Sequence, residues 1–142
     1  MTALVFACAA GVLMAVQGVL NTGLGRVVGL LKATTAVHAG GLAAVLLLVL
    51  VRTGPSPGGF TSAGWVYYLG GPIGVAIVYL VAASISKIGA CAATTAIITG
   101  QVVTAAALDH FGLFGLSRAP FHPFKLAGVA LLSLGAWILL RK

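Results

Sequence analysis

Charged side chains are so scarce in this chain, and so placed, that five long stretches run almost free of them. Nine of 142 residues are Asp, Glu, Lys or Arg; eight are basic and one, Asp109, is acidic. The stretches cover residues 3–21, 33–51, 65–85, 89–110 and 125–140 and use most of the chain. A bilayer hydrocarbon core is about 30 Å thick, so a spanning helix needs roughly 20 apolar residues. With no water inside that core, each span must satisfy its own backbone groups, which a helix does. The sequence therefore predicts an all-α membrane protein: a single transmembrane domain, residues 1–142, of five helices, with the lipid bilayer as its first partner.

Composition removes the soluble alternatives. Hydrophobic residues make up 61% and charged residues 6%, whereas soluble domains carry about a quarter charged residues. The net charge of +7 would suit nucleic acid only if it formed a basic patch. Instead the basic residues sit singly at the ends of apolar stretches, where their stems can reach back to the interface, so no nucleic-acid partner is expected. Cys8 and Cys91 fall inside apolar stretches and read as small buried apolar residues, not as a disulfide or metal ligands. Residues 1–2 bring no basic n-region, so the first stretch is expected to be a retained span and not a signal peptide. One acid in 142 residues, with no Ser–His–Asp arrangement, leaves little for acid–base catalysis. No His, Cys and carboxylate spacing suits a metal, and Gly23, Gly25 and Gly29 follow a membrane helix where a dinucleotide fingerprint would follow a strand. Neither an enzyme nor a cofactor is expected.

Along the chain, a loop is expected at residues 22–32, carrying Arg26 and Lys32. Residues 53–59, with two prolines and three glycines, read as a breaker. Trp65, Tyr67 and Tyr68 mark a membrane interface. Pro72 predicts a kink in the third span, and Gly70 and Gly74 have the small-xxx-small spacing that lets two membrane helices approach closely. The link after Lys87 is so short that the third and fourth spans should form an antiparallel hairpin. Five spans would place Arg52, Arg118 and Lys125 on one face of the membrane and Arg26, Lys32, Lys87, Arg141 and Lys142 on the other. Positive-inside counting favours an N-out, C-in orientation by only two charges. Such a balance suits an antiparallel homodimer inserted both ways round, and equally a single orientation with weak bias.

A polar side chain in hydrocarbon is costly unless it finds a partner or faces a wet cavity. Gln17 and Asn21 are four residues apart and share a face of the first helix. Thr94 and Gln101 share a face of the fourth, and Asp109 follows on roughly that face, about 12 Å further along. If the two polar stripes meet, Gln17, Asn21, Thr94 and Gln101 line a substrate cavity. The competing reading is interhelical glue, worth about 0.6–2 kcal/mol per amide. Asp109 and His38 are the ion-coupling candidates. The alternatives are an ion pair from Asp109 to Arg118 or Lys125 and a hydrogen-bonded structural His38; His110 and His122 read as interface and loop residues.

Gln17-Gly-Val-Leu-Asn21-Thr-Gly-Leu24-Gly25 resembles the opening of the YdcZ-type inner-membrane exporter family, within the drug/metabolite transporter superfamily. Gly70-Gly71-Pro-Ile-Gly74, Lys87-Ile-Gly89-Ala90, Gly100-Gln101 and Asp109-His110-Phe111-Gly112-Leu-Phe-Gly115 follow in that family's order. The resemblance implies five-helix subunits in a bacterial-type inner membrane, occurring as dual-topology homodimers, oppositely oriented pairs or fused ten-helix chains. It also implies transport of a small-molecule substrate. The combined expectation is a ten-helix inverted-repeat transporter made of two antiparallel copies, exporting a small polar metabolite by alternating access. The absence of a midspan acid favours a neutral, zwitterionic or anionic solute over a lipophilic cation. The alternatives are a non-transporting accessory or scaffold protein, a pair with an oppositely oriented paralogue, and a proton-coupled exporter of cationic compounds using Asp109.

Overall fold

The computed structural model describes residues 1–52, 54, 59, 63–115, 117–120 and 122–141. The predicted breaker at residues 53–59 lies mostly outside the described residues, as does Lys142. Five long helices carry the chain: α1 (Thr2–Val28), α2 (Leu30–Arg52), α3 (Gly70–Ile88), α4 (Ala90–Phe111) and α5 (Pro123–Leu140). A 3-10 turn, Trp65–Leu69, runs directly into α3, and another, Leu113–Gly115, follows α4. Each helix, with its leading turn for α3, is long and apolar enough to cross a bilayer.

Several boundaries differ from the sequence reading, each for a local reason. The loop expected at residues 22–32 is helical on both sides of one residue, Gly29. At φ 88, ψ 146, Gly29 occupies a region closed to residues with a Cβ. Arg26 and Lys32 do not need a loop, because their long stems carry the charge outward from a helix. With 27 residues, α1 is about 40 Å long and outreaches the hydrocarbon core. Pro72 falls in the first turn of α3, where its missing N–H costs least. The predicted kink is therefore a change from 3-10 to α geometry at Gly70. α5 starts with Pro123 at its first position, behind His122 in extended conformation, the arrangement proline favours.

The chain divides into two compact units, residues 1–86 and 87–142. In the first, α1 packs on α3 through a small-residue strip. A Cβ at Gly18 would stand 2.8 Å from Ile85 Cδ1 and 3.1 Å from Val81 Cγ1. The Thr22 hydroxyl donates to the Gly18 carbonyl at 2.7 Å and lies 3.4 Å from the Ala82 carbonyl of α3. α1 meets the start of α2 at Gly25, where a Cβ would stand 2.7 Å from Leu30 Cδ2. In the second unit α4 and α5 pack together, with Ala93 and Ala136 buried.

Among the described residues the buried apolar side chains are Ala33, Ala82, Ile85, Ala93 and Ala136. Small residues sit inside and the leucines, valines and aromatics sit outside, the inverse of a soluble core. No spanning window is more than 11% buried, which leaves broad apolar faces for lipid. Cys8 and Cys91, expected to be buried, are both exposed; a thiol is apolar enough to face hydrocarbon.

Candidate functional site

Most hydroxyls in the spans turn back onto their own helix. Thr34, Thr35, Ser84, Thr95, Thr99 and Ser133 each donate to the carbonyl four residues earlier, at 2.8–3.0 Å. Ser86 donates to Ala83 O at 2.8 Å. The donor of each of these groups is satisfied within one helix, which leaves only the oxygen lone pairs for a ligand.

The sequence-predicted site residues behave differently. The side chains of Gln17, Asn21, Thr94 and Gln101 make no hydrogen bond among the described residues, and neither does Thr104. The contrast is sharpest between Thr34 and Thr94, which sit in matching Ala-Thr-Thr-Ala runs. Thr34 bonds to Leu30 O at 2.9 Å, while the Thr94 hydroxyl makes no such bond.

Asn21 is the buried member, only 7% exposed. Among the described residues no fully buried side-chain polar atom lacks a partner. The Asn21 amide atoms therefore remain accessible although the residue around them is enclosed. At about 100° per residue, Asn21 stands about 60° from Gly18 and about 100° from Thr22 around α1. Those two residues face α3. Asn21 lies on the other flank, past Gly25, with Gln17 beside it. Gln17 is exposed.

In the second unit Thr94 is half-buried and Gln101 exposed. They are seven residues apart, so about 20° separates them around α4. Thr104, three residues past Gln101, extends the stripe; it was not among the residues singled out as substrate-binding. Its signal was available in the sequence as a third polar group within reach of Gln101. Asp109 was expected on roughly the Gln101 face. It stands about 80° away, in the last turn of α4.

That end of α4 is closed by its own loop. Gly112, left-handed at φ 62, ψ 39, donates its N–H to the Asp109 and Leu108 carbonyls. Ala119 N–H donates to Asp109 O at 2.8 Å, and Arg118 Nε donates to His110 O at 3.1 Å. A guanidinium at a helix C-terminus meets the negative end of the macrodipole. Phe114, at φ 56, takes the left-handed turn that folds the loop back. Arg118 is thus engaged by a main-chain carbonyl. The Asp109 carboxylate makes no ion pair with Arg118 or Lys125 among the described residues.

His38 lies on α2, half-buried, with Nδ1 2.9 Å from Thr34 O. A carbonyl only accepts, so Nδ1 is a donor in this contact. Nε2 has no partner among the described residues.

Five apolar spans with free amides and hydroxyls on two of them describe a membrane protein with hydrogen-bonding capacity left over. A family model described as "Putative inner membrane exporter, YdcZ" matches residues 2–138. The chain belongs to this family. The YdcZ-type family places the protein in the inner membrane, in a family described as exporters. No curated protein and no solved structure matches the chain.

Proposed function

We propose that this YdcZ-type protein is a secondary-active exporter of a small polar metabolite, working by alternating access across the interface of an antiparallel homodimer. The observation that carries the reading is the set of open side chains: Gln17, Asn21, Thr94 and Gln101 have donors and acceptors with no partner among the described residues. Amides serving as glue would be bonded across helices. A solute carrying its own donors and acceptors would satisfy these groups during transport. The spans offer no midmembrane carboxylate to hold a lipophilic cation, which favours a neutral, zwitterionic or anionic solute.

Several features support the inverted pair. The basic residues are nearly balanced across an odd number of spans. The Gly70 and Gly74 positions of α3 have no atom within 4 Å of where a Cβ would stand. Gly70, Pro72 and Gly74 therefore form a helix-packing surface that the described residues leave open and an upside-down copy would cover. For coupling, His38 offers an Nε2 inside a span and Asp109 a carboxyl group near a helix end, neither with a partner among the described residues.

The test is solid-supported-membrane electrophysiology on proteoliposomes with a panel of neutral, zwitterionic, anionic and cationic solutes. Polar metabolites are expected to give currents that Gln101→Leu abolishes at normal expression. Currents from lipophilic cations alone, abolished by Asp109→Asn, would assign the cationic alternative. Full activity in Gln101→Leu would return the amide to a packing role. Accessibility of both chain termini from both sides of the membrane is expected, and a single orientation would refute the homodimer.

A further inference from the structure

Two joints in this chain share a sequence and a backbone. Residues 29–40 read Gly-Leu-Leu-Lys-Ala-Thr-Thr-Ala-Val-His-Ala-Gly, and residues 89–100 read Gly-Ala-Cys-Ala-Ala-Thr-Thr-Ala-Ile-Ile-Thr-Gly; six of the twelve positions are identical. The opening glycine of each copy is the single residue between two helices. Gly29 has φ 88, ψ 146 and Gly89 has φ 84, ψ 163. Each glycine carbonyl accepts the amide four residues on, from Ala33 at 3.0 Å and from Ala93 at 3.1 Å, and both alanines are buried. Seven and four residues before each glycine, burial repeats as well: Thr22 and Gly25 in α1, Ala82 and Ile85 in α3. The chain carries a helix–glycine–helix element twice.

The copies differ in how the glycine is held. The Gly29 amide donates back to Gly25 O at 2.9 Å, and Leu30 packs onto Gly25, so the bend is tied to the helix before it. Both helices at this bend belong to the first unit. The Gly89 amide makes no hydrogen bond back into α3 among the described residues. Its one backbone bond in the joint belongs to α4. The division between the two units falls between Ser86 and Lys87, three residues before Gly89.

We propose that Gly89 is the working hinge of the transporter, the joint about which the three-helix and two-helix units move during the cycle, and that Gly29 is its locked counterpart. A hinge is a short connection whose dihedrals absorb the motion. A glycine at positive φ with a free amide can turn without breaking a hydrogen bond. At Gly29 the same turn would break the bond to Gly25 O and expose Leu30. The joint follows from the backbone alone; only its part in export rests on the exporter reading.

The test uses full-length protein in proteoliposomes. One nitroxide label goes on native Cys8, exposed in the first unit. The second goes on Leu139→Cys in a Cys91→Ser background, Leu139 being exposed in the second unit. Labelled chains are diluted with unlabelled cysteine-free protein, so that double electron–electron resonance reads distances within one chain. A broad or two-peaked distribution is expected; both alanine variants are strained at positive φ and are expected to shift it, but only Gly89→Ala narrows it to one peak. A single narrow peak without a hinge substitution, or equal changes in the two variants, would overturn the proposal. Should Gly89→Ala fail to fold, glycine-selective amide exchange in the unmodified protein decides: Gly29 is expected to be protected at least about 10-fold over Gly89, and equal protection refutes the hinge. Neither readout needs a substrate. Unit motion in a protein that moves no solute therefore counts against the exporter reading alone, whereas undiminished export by Gly89→Ala with a collapsed distribution counts against the hinge.

Discussion

Replacing Asn21 with leucine should separate a binding amide from a structural one, because the two roles move stability in opposite directions. Asn21 is 7% exposed, and its amide has no hydrogen-bond partner among the described residues. A buried polar group left unpaired costs about 1–3 kcal/mol. The amide atoms keep some access, so the lower end applies, about 1 kcal/mol. Leucine branches at the same carbon and removes that cost, while its methyl groups add some crowding, typically under about 1.5 kcal/mol for a swap of similar shape. Asn21→Leu is therefore expected to change stability by between about −0.5 and about +1 kcal/mol, the upper end roughly a five-fold change in the folded ratio, while export is lost. The assay is equilibrium unfolding in mixed micelles followed by Trp65 and Trp137 fluorescence, paired with flux from proteoliposomes. A variant that loses more than about 1 kcal/mol of stability would show that the amide holds the fold together, and the reasoning from its missing partner would be wrong.

Three further outcomes follow from the same geometry. Gly18→Ala should cost little, because the atoms 2.8 Å and 3.1 Å from its new Cβ are side-chain ends, whereas Gly18→Leu should force α1 from α3 at about 1–3 kcal/mol; the same unfolding assay compares them. His38→Gln should abolish uptake driven by a pH gradient yet preserve solute exchange at equal pH, since glutamine keeps a donor and an acceptor but is no base; loss of both activities would make His38 structural. Leucine at both Gly70 and Gly74 should weaken the dimer and leave the subunit folded, as no described residue occupies that space; single-molecule photobleaching is expected to show one copy per particle where unmodified protein shows two.

Much of the fold was legible because hydropathy is a local sum. Five runs near the length of a bilayer crossing needed no tertiary information, and the helices contain the predicted runs almost entirely. The misjudged places are those where a local sign has two physical readings. Arg26 and Lys32 looked like loop residues, but lysine and arginine stems reach the interface from a helix just as well. Pro72 looked like a kink, yet the same ring is harmless in a first turn. For Asp109 the sequence left open an ion pair with Arg118 or Lys125 and a coupling role; Arg118 Nε meets the His110 carbonyl, an orphan acceptor at a helix end that charge counting does not show.

By itself the sequence determined the environment, the number of spans, the family and which side chains had to be explained in hydrocarbon. Charge scarcity and run length decide those matters whatever the helices later touch. Only the tertiary structure decided which polar groups are already satisfied. Thr34 and Thr94 stand in the same four-residue run, yet one hydroxyl turns to its own backbone and the other does not. Asn21 and Gln17 are one turn apart, yet one is enclosed and the other open. A hydrogen bond depends on rotamer and neighbour, and both are set by how the helices pack.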